Sequence, residues 1–234
     1  MKPFPAPSIR HAEVEGLRII LDLTSESYRV LDDQASLLWS VLIGDRSVEA
    51  GAEIADRIYG IGRQAFEGEL TDFAEHCREE GLLLGDSDMP AALDNPAIFL
   101  PDLRWCPIPI RATFFMLATR RALRHAGFRA TYSAMASRWP MAGAAPLTPA
   151  MLRAFGIAEN LFIARRAPRD CLLRSLSLFA FLRSANIPVD HVIGVRRFPF
   201  RAHAWVEHRG ERLIDRESGF TVIARIGHEA VSPA

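Results

Sequence analysis

Asp170-Cys171-Leu172-Leu173-Arg174-Ser175-Leu176, Val192-Ile193-Gly194-Val195-Arg196, Ala202-His203-Ala204-Trp205-Val206-Glu207 and Arg212-Leu213-Ile214-Asp215 follow one another between Asp170 and Gly219, a helix pattern followed by strand patterns. Pro168 and Asp170 are helix-start residues, and Leu172, Leu176, Phe179 and Leu182 recur at helical spacing, which puts Cys171 in a first turn. There the helix dipole favours a thiolate; with a cationic neighbour the thiol pKa falls from about 8.5 towards roughly 3.5–7.5. Beyond the Ile187-Pro188 break, Val192 to Arg196, Ala202 to Glu207 and Glu211 to Asp215 read as strands, the last two joined as a hairpin through His208-Arg209-Gly210-Glu211. His203 is then central on one strand and Asp215 ends its neighbour. A nucleophilic thiol needs a base, and the base needs an acceptor on its second nitrogen. Cys171, His203 and Asp215 occur in that order.

A helix presenting a cysteine to a sheet that bears histidine and aspartate is the arrangement of papain-like and transglutaminase-like folds. The pieces Cys171-Leu172-x-Arg174-Ser175-Leu176, Val192-Ile193-Gly194-Val195-Arg196, Pro199-Phe200-x-Ala202-His203-Ala204-Trp205-Val206-Glu207 and Leu213-Ile214-Asp215 closely resemble the leader peptidases of lasso peptide biosynthesis, the B proteins of the transglutaminase-like superfamily. The resemblance covers roughly Leu103 to Ala224. It implies a cysteine protease that removes the leader from a ribosomally made precursor, with Cys171, His203 and Asp215 as catalytic residues. It also implies a partner, an asparagine-synthetase-like cyclase that closes a macrolactam on the freed amine.

Length and composition suit a soluble protein of one large or two small domains. Met1 to Arg10 is proline-rich and lacks the apolar core of a signal peptide. The apolar runs around Ala112 to Ala118 and Leu172 to Leu182 fall short of the roughly 20 residues that cross a bilayer. A cytoplasmic protein without membrane insertion is expected. Cys77, Cys106 and Cys171 are spread and odd in number, and the seven histidines show no metal-ligand spacing, so neither a disulfide framework nor a metal is expected. Met1 to Asp88 carries 8 basic and 18 acidic residues, Met89 to Ala234 carries 20 and 10, and the formal charges cancel over the whole chain. An acidic module joined to a basic one points to two domains, the asymmetry serving either mutual attraction or partner steering. No reading motif interleaves the arginines, so nucleic acid is not the expected partner.

In chain order, Ile9 to Glu13, Leu17 to Asp22 and Ser27 to Leu31 read as a three-stranded meander broken at Glu15-Gly16 and Thr24-Ser25-Glu26. Asp32 or Asp33 caps a helix that ends near Gly44; a second runs from Val48 to Tyr59, and a third from Arg63 to Glu80 with Phe66, Leu70, Phe73 and Cys77 on one face. This α+β reading is a winged-helix-like domain over residues 1–88. With Tyr28, Leu31-Asp32-Asp33 and Glu80-Gly81-Leu82-Leu83 it resembles the PqqD-like precursor recognition elements of peptide-modifying enzymes. That resemblance implies a leader added as a strand to the third strand and packed on the third helix. Ser27, Tyr28, Arg29, Val30 and Leu31 would supply the edge, and Phe66, Leu70 and Phe73 the apolar surface. A domain that merely packs, or binds DNA, is the rival reading, and its acidity opposes the DNA version.

Proline density marks 89–100 as a linker, and 101–234 as the transglutaminase-like cysteine peptidase domain. Ile110 to Ala126 reads as a helix with Phe114, Leu117 and Leu123 inward and Arg120, Arg121 and Arg124 outward; Tyr132 to Pro149 reads as a loop, and Pro149 to Ala167 as a helix. Asp190 and His191 read as solvent-facing loop residues, Trp205 as packing behind the site, and Cys77 and Cys106 as packing residues. The Cys171 backbone N–H is one oxyanion donor candidate. Lys2 is the single lysine, so no phosphate-binding loop of the Walker type exists. No cofactor is expected, and any ATP requirement would enter through the cyclase. Two functional rivals stay open: an acyltransferase, in which an amine resolves the thioester, and a peptide-binding scaffold without catalysis.

Overall fold

The computed structural model describes residues 3–85, 106–138, 145–162, 171–215 and 217–227. The chain divides into two compact units, Met1–Asp94 and Asn95–Ala234. The expected linker, 89–100, lies outside the described residues.

The first unit runs β1 (Phe4–Pro5), β2 (Ile9–Val14), β3 (Leu17–Asp22), β4 (Ser27–Val30), α1 (Asp33–Leu42), α2 (Val48–Tyr59), α3 (Arg63–Glu79) and β5 (Leu83–Leu84). Strands β2, β3 and β4 form the antiparallel meander in that order, turned at Glu15 and Gly16, both at positive φ. Central β3 is the most buried of the three, with Ile19, Ile20 and Leu21 all out of contact with solvent. Capping fixes the helix starts. The Asp32 carboxylate accepts the Ala35 N–H at 2.8 Å, and the Ser47 hydroxyl accepts that of Ala50 at 3.1 Å.

Two apolar clusters hold the unit. One gathers Ile20, Trp39, Cys77 and Leu83; the other Leu38, Val41, Ala55 and Phe66, with Leu70 and Phe73 bordering both. Three strands and three helices stand as the sequence predicts. A two-stranded addition does not: Phe4 pairs with Leu84 and Pro5 with Leu83, so the apolar run after α3 closes the domain against its beginning. A two-residue pairing across the whole domain has no periodicity to announce it.

The second unit comprises α4 (Ile108–Arg138), α5 (Pro149–Phe162), α6 (Cys171–Ser184), β6 (Asp190–Arg196), β7 (Arg201–His208), β8 (Glu211–Arg212) and β9 (Thr221–Ile226). Its antiparallel sheet has the order β8-β7-β6-β9. Helix α6 is buried continuously from Ser175 to Arg183, between α4 and the sheet. Buried on every side along that stretch, it is a core helix rather than a surface one.

Three expectations need correction here. Helix α4 does not end near Ala126: it breaks at Gly127 (φ 75°, ψ 174°) and continues to Arg138, so 132–138 is helical. Phe128, Tyr132 and Met135, all buried, resume an apolar face after the glycine. Its earlier inward face is Ala112, Phe115, Met116, Thr119 and Ala122, while Leu117 is 46% exposed. That rotation buries Arg111, whose guanidinium reaches Ser184 Oγ at 3.2 Å and lies over the Phe181 ring. Finally, the expected strand to Asp215 pairs only over Glu211–Arg212, and the sheet is completed by β9, which the sequence reading lacked. Residues 163–167, expected to extend α5, lie outside the described ones.

Candidate active site

Cys171 is the first residue of α6; Pro168 and Asp170, expected to start that helix, lie outside the described residues. Cys171, His203, Ala204 and Asp215 line one hollow, with the thiol beside the imidazole. His203, on β7 opposite Gly194 of β6, engages the Asp215 carboxylate through Nε2. Nδ1 is thereby left for the thiol. The second Asp215 oxygen accepts the Glu217 N–H at 2.9 Å, which fixes the carboxylate in the turn after β8.

The electrostatics follow from these contacts. Burial opposes ionisation of Cys171, but the hydrogen bonds from His203 and the Ala204 N–H outweigh it and hold the thiol below its ordinary pKa. His203 is raised, chiefly by its hydrogen bond with Cys171, against burial and with help from Asp215. Burial pushes Asp215 up, yet the Glu217 N–H, His203 and the nearby Arg174 leave it below the usual carboxylate range. The arrangement favours a thiolate beside an imidazolium, and a thiolate is the attacking form.

Aromatic packing fixes the imidazole. Trp205 lies nearly parallel to His203, at 6.1 Å and 19°, and Phe220 closes on it at 5.3 Å. The indole N–H donates to Glu207 Oε1 at 2.6 Å, and the Arg212 guanidinium covers the indole ring at 3.8 Å. Trp205 therefore packs against the base itself. Gly194 makes room for it: a Cβ there would stand 2.6 Å from Trp205 Cη2 and 3.0 Å from Phe220 Cβ. Gly194→Ala is expected to cost about 1–3 kcal/mol by overpacking, read from urea melts. A melt unchanged from wild type would show that the ring is free to shift.

A narrow hollow of about 30 Å³ opens beside the thiol, lined by Arg174, Leu178, Trp205 and Ile214 among others. It admits a water or a carbonyl oxygen rather than a side chain. A larger hollow of about 270 Å³, in the first unit between the β2–β3 turn and α1 and α2, holds no pairing of nucleophile and base among its lining residues.

The reading of Asp190 and His191 as solvent-facing loop residues is wrong. Both belong to β6; His191 is completely buried, and Asp190 is paired with Arg225 at 2.9 Å. Phe220 and Arg174 were missed as neighbours of the triad. Phe220 comes from the unforeseen approach to β9, but Arg174, one turn beyond Cys171, was readable from helical spacing. Cys77 is buried, and burial lifts its thiol to about 11, while Cys106 is partly exposed.

In the first unit, β4 is an edge of the described sheet, with Arg29 and Val30 exposed and Ser27, Tyr28 and Leu31 half-buried. The Leu31 N–H bonds the Arg18 carbonyl at 2.8 Å, so by alternation the Ser27 and Arg29 N–H groups also point to β3. Those of Tyr28 and Val30 point outward. Arg29 is ion-paired with Glu80 at the end of α3, linking strand and helix. Leu70 and Phe73 are half-buried on α3, but Phe66 is only 3% exposed and packs against Val41 and Ala55. Its place is the core.

Residues 113–225 match the model of the transglutaminase-like superfamily, and residues 18–83 that of coenzyme PQQ synthesis protein D, PqqD. The chain joins a PqqD-like domain to a transglutaminase-like domain. Cys171, His203 and Asp215 all fall in the transglutaminase-like match, and β4 and α3 in the PqqD-like one. A stretch of 46 residues is 48% identical to the Microcin J25-processing protein McjB of Escherichia coli, over 20% of this chain. The match spans about a fifth of that relative's length (22%). Two solved structures resemble the chain: TbiB1 in complex with the TbiA(beta) leader peptide and lasso peptide synthetase B1 complexed with the leader peptide. Each is 24% identical, with TM-scores of 0.31 and 0.32, covering 35% and 36% of this chain and 95% and 100% of theirs. Among the described residues no helix is long and apolar enough to cross a membrane.

Proposed function

We propose that the protein is a cysteine endopeptidase that binds the leader of a ribosomally made lasso peptide precursor and cleaves it off. The observation that carries this reading is the His203–Asp215 pair set beside the Cys171 thiol, all three lining one hollow. The Cys171 proton passes to His203 Nδ1, and the thiolate attacks the scissile carbonyl. The imidazolium then returns that proton to the leaving amine, leaving a thioester on Cys171. His203 next takes a proton from water, whose oxygen displaces the thiolate and frees the leader as a carboxylic acid. Asp215 holds the ring in place and offsets its charge. The Cys171 N–H is proposed as one donor to the oxyanion. No cofactor enters these steps; any use of ATP belongs to an asparagine-synthetase-like cyclase acting on the freed amine. The site of action is the cytoplasm, where thiols stay reduced.

Mass spectrometry of the precursor after incubation tests the reaction class. Two fragments whose masses sum to precursor plus water support hydrolysis; an amine adduct points to acyl transfer, and an unchanged mass to a scaffold.

Leader docking is proposed on the outward edge of β4, with Leu70 and Phe73 supplying apolar contact. Val30→Pro removes an outward N–H without touching the β3 ladder, whereas Arg29→Pro would break that ladder. For Val30→Pro, KM is expected to rise about fivefold or more at nearly unchanged kcat, the loss of one hydrogen bond common to ground and transition states. An unchanged KM with a folded variant would move the docking face elsewhere.

A further inference from the structure

His191 is fully buried and stands outside the thiol–imidazole–carboxylate chain. Its Nε2 lies 2.8 Å from the Ser175 hydroxyl, on the helix that carries Cys171, and that hydroxyl lies 3.2 Å from the Leu172 carbonyl. Tyr132 of α4 and Phe179 of α6 meet the imidazole edge to face. Burial drives its pKa down to about 3, so the ring is neutral and carries a single N–H.

The proton inventory fixes the direction of these bonds. A carbonyl only accepts, so the Ser175 hydroxyl donates to Leu172 and accepts from His191 Nε2–H. Nδ1, buried and with no partner among the described residues, is then a bare lone pair. The opposite tautomer would bury an unmet donor, the costlier defect.

A serine bonded to the carbonyl three residues back is common in helices. What is particular here is the anchor, sixteen residues on, in β6. It bears on the opening turn of α6, where helices fray because the first N–H groups lack intrahelical partners. Cys171 is the first residue of that turn, and Leu172, whose carbonyl the Ser175 hydroxyl meets, is the second.

We infer that Ser175 and His191 are positioning residues for the nucleophile: β6, acting through imidazole and hydroxyl, fixes the first turn of α6 and with it Cys171, the residue that opens that turn. The inference rests on the reading of Cys171 as the nucleophile.

The test is the pH dependence of iodoacetamide alkylation in the full chain, followed on the Cys171 peptide by mass because Cys77 and Cys106 are also free thiols. Ser175→Ala and His191→Leu are each expected to slow alkylation near neutral pH about fivefold and to move its midpoint upward, with kcat falling and KM unchanged. His191→Gln keeps an N–H near the Nε2 position and is expected to recover most of the rate. A folded Ser175→Ala protein with the wild-type midpoint overturns the inference. Should that variant not fold, equal midpoints for His191→Leu and His191→Gln overturn it. A wild-type midpoint at the ordinary thiol value would sink the reading of Cys171 itself, whereas a depressed midpoint that ignores Ser175 and His191 would sink the positioning role alone.

Discussion

Cys171→Ala is expected to abolish leader removal, lowering the rate by on the order of 10⁴-fold or more, while leaving leader affinity unchanged. The argument is one of place and chemistry. The sulfur shares a hollow with the His203 ring and Ala204, and alanine offers none of its reactivity. The candidate docking strand β4 belongs to the other compact unit, so the substitution removes no surface from it. The variant loses a partner for His203 but little volume, so it should remain folded. Two measurements on one preparation check it: cleavage by mass and leader binding by calorimetry. Full cleavage by Cys171→Ala would remove the nucleophile assignment. Lost binding with a folded protein would mean that affinity does not reside in β4 and α3 alone.

The residues that form this chain were legible because each sits in a strong local signal. Cys171 opens a largely apolar helix, His203 lies in a run of strand residues, and Asp215 follows a glycine turn. In the first unit, caps at Asp32 and Ser47 and the stops at Gly60 and Gly81 bracket helices that the residue pattern already defined. Illegible features depend on partners far along the chain. Pro188 hid the start of β6, so His191 read as a loop residue, although helix and sheet bury it completely. Gly127 read as a helix end because a lone glycine does not reveal that an apolar face resumes at Phe128 and Tyr132. Phe66 shares an apolar helix face with Leu70 and Phe73, and spacing alone could not tell which of the three the core would claim.

The second large effect separates the base from its orienting carboxylate. His203→Ala is expected to be nearly as inactive as Cys171→Ala, since thiol activation and protonation of the leaving amine both pass through that ring. Asp215→Asn should lose less, about 10- to 100-fold, because an amide oxygen still accepts from Nε2 and a thiol, unlike a serine hydroxyl, ionises with modest help. The pH profile carries the finer test. A lowered thiol and a raised imidazole both favour the thiolate–imidazolium pair, so activity is expected to rise as the thiol ionises and to fall as the imidazolium loses its proton. Asp215 helps raise His203, and asparagine withdraws that charge. The alkaline limb should therefore move to lower pH in Asp215→Asn, with the acid limb moving less. Asp190→Asn is the control: it removes an ion pair with Arg225 on a partly exposed strand end, worth about 1 kcal/mol or less, and touches no reacting group. Its kcat should stay near wild type with an unshifted profile. Should Asp190→Asn prove as damaging as Asp215→Asn, or Asp215→Asn leave the alkaline limb where it was, the third member of the chain would have to be sought elsewhere.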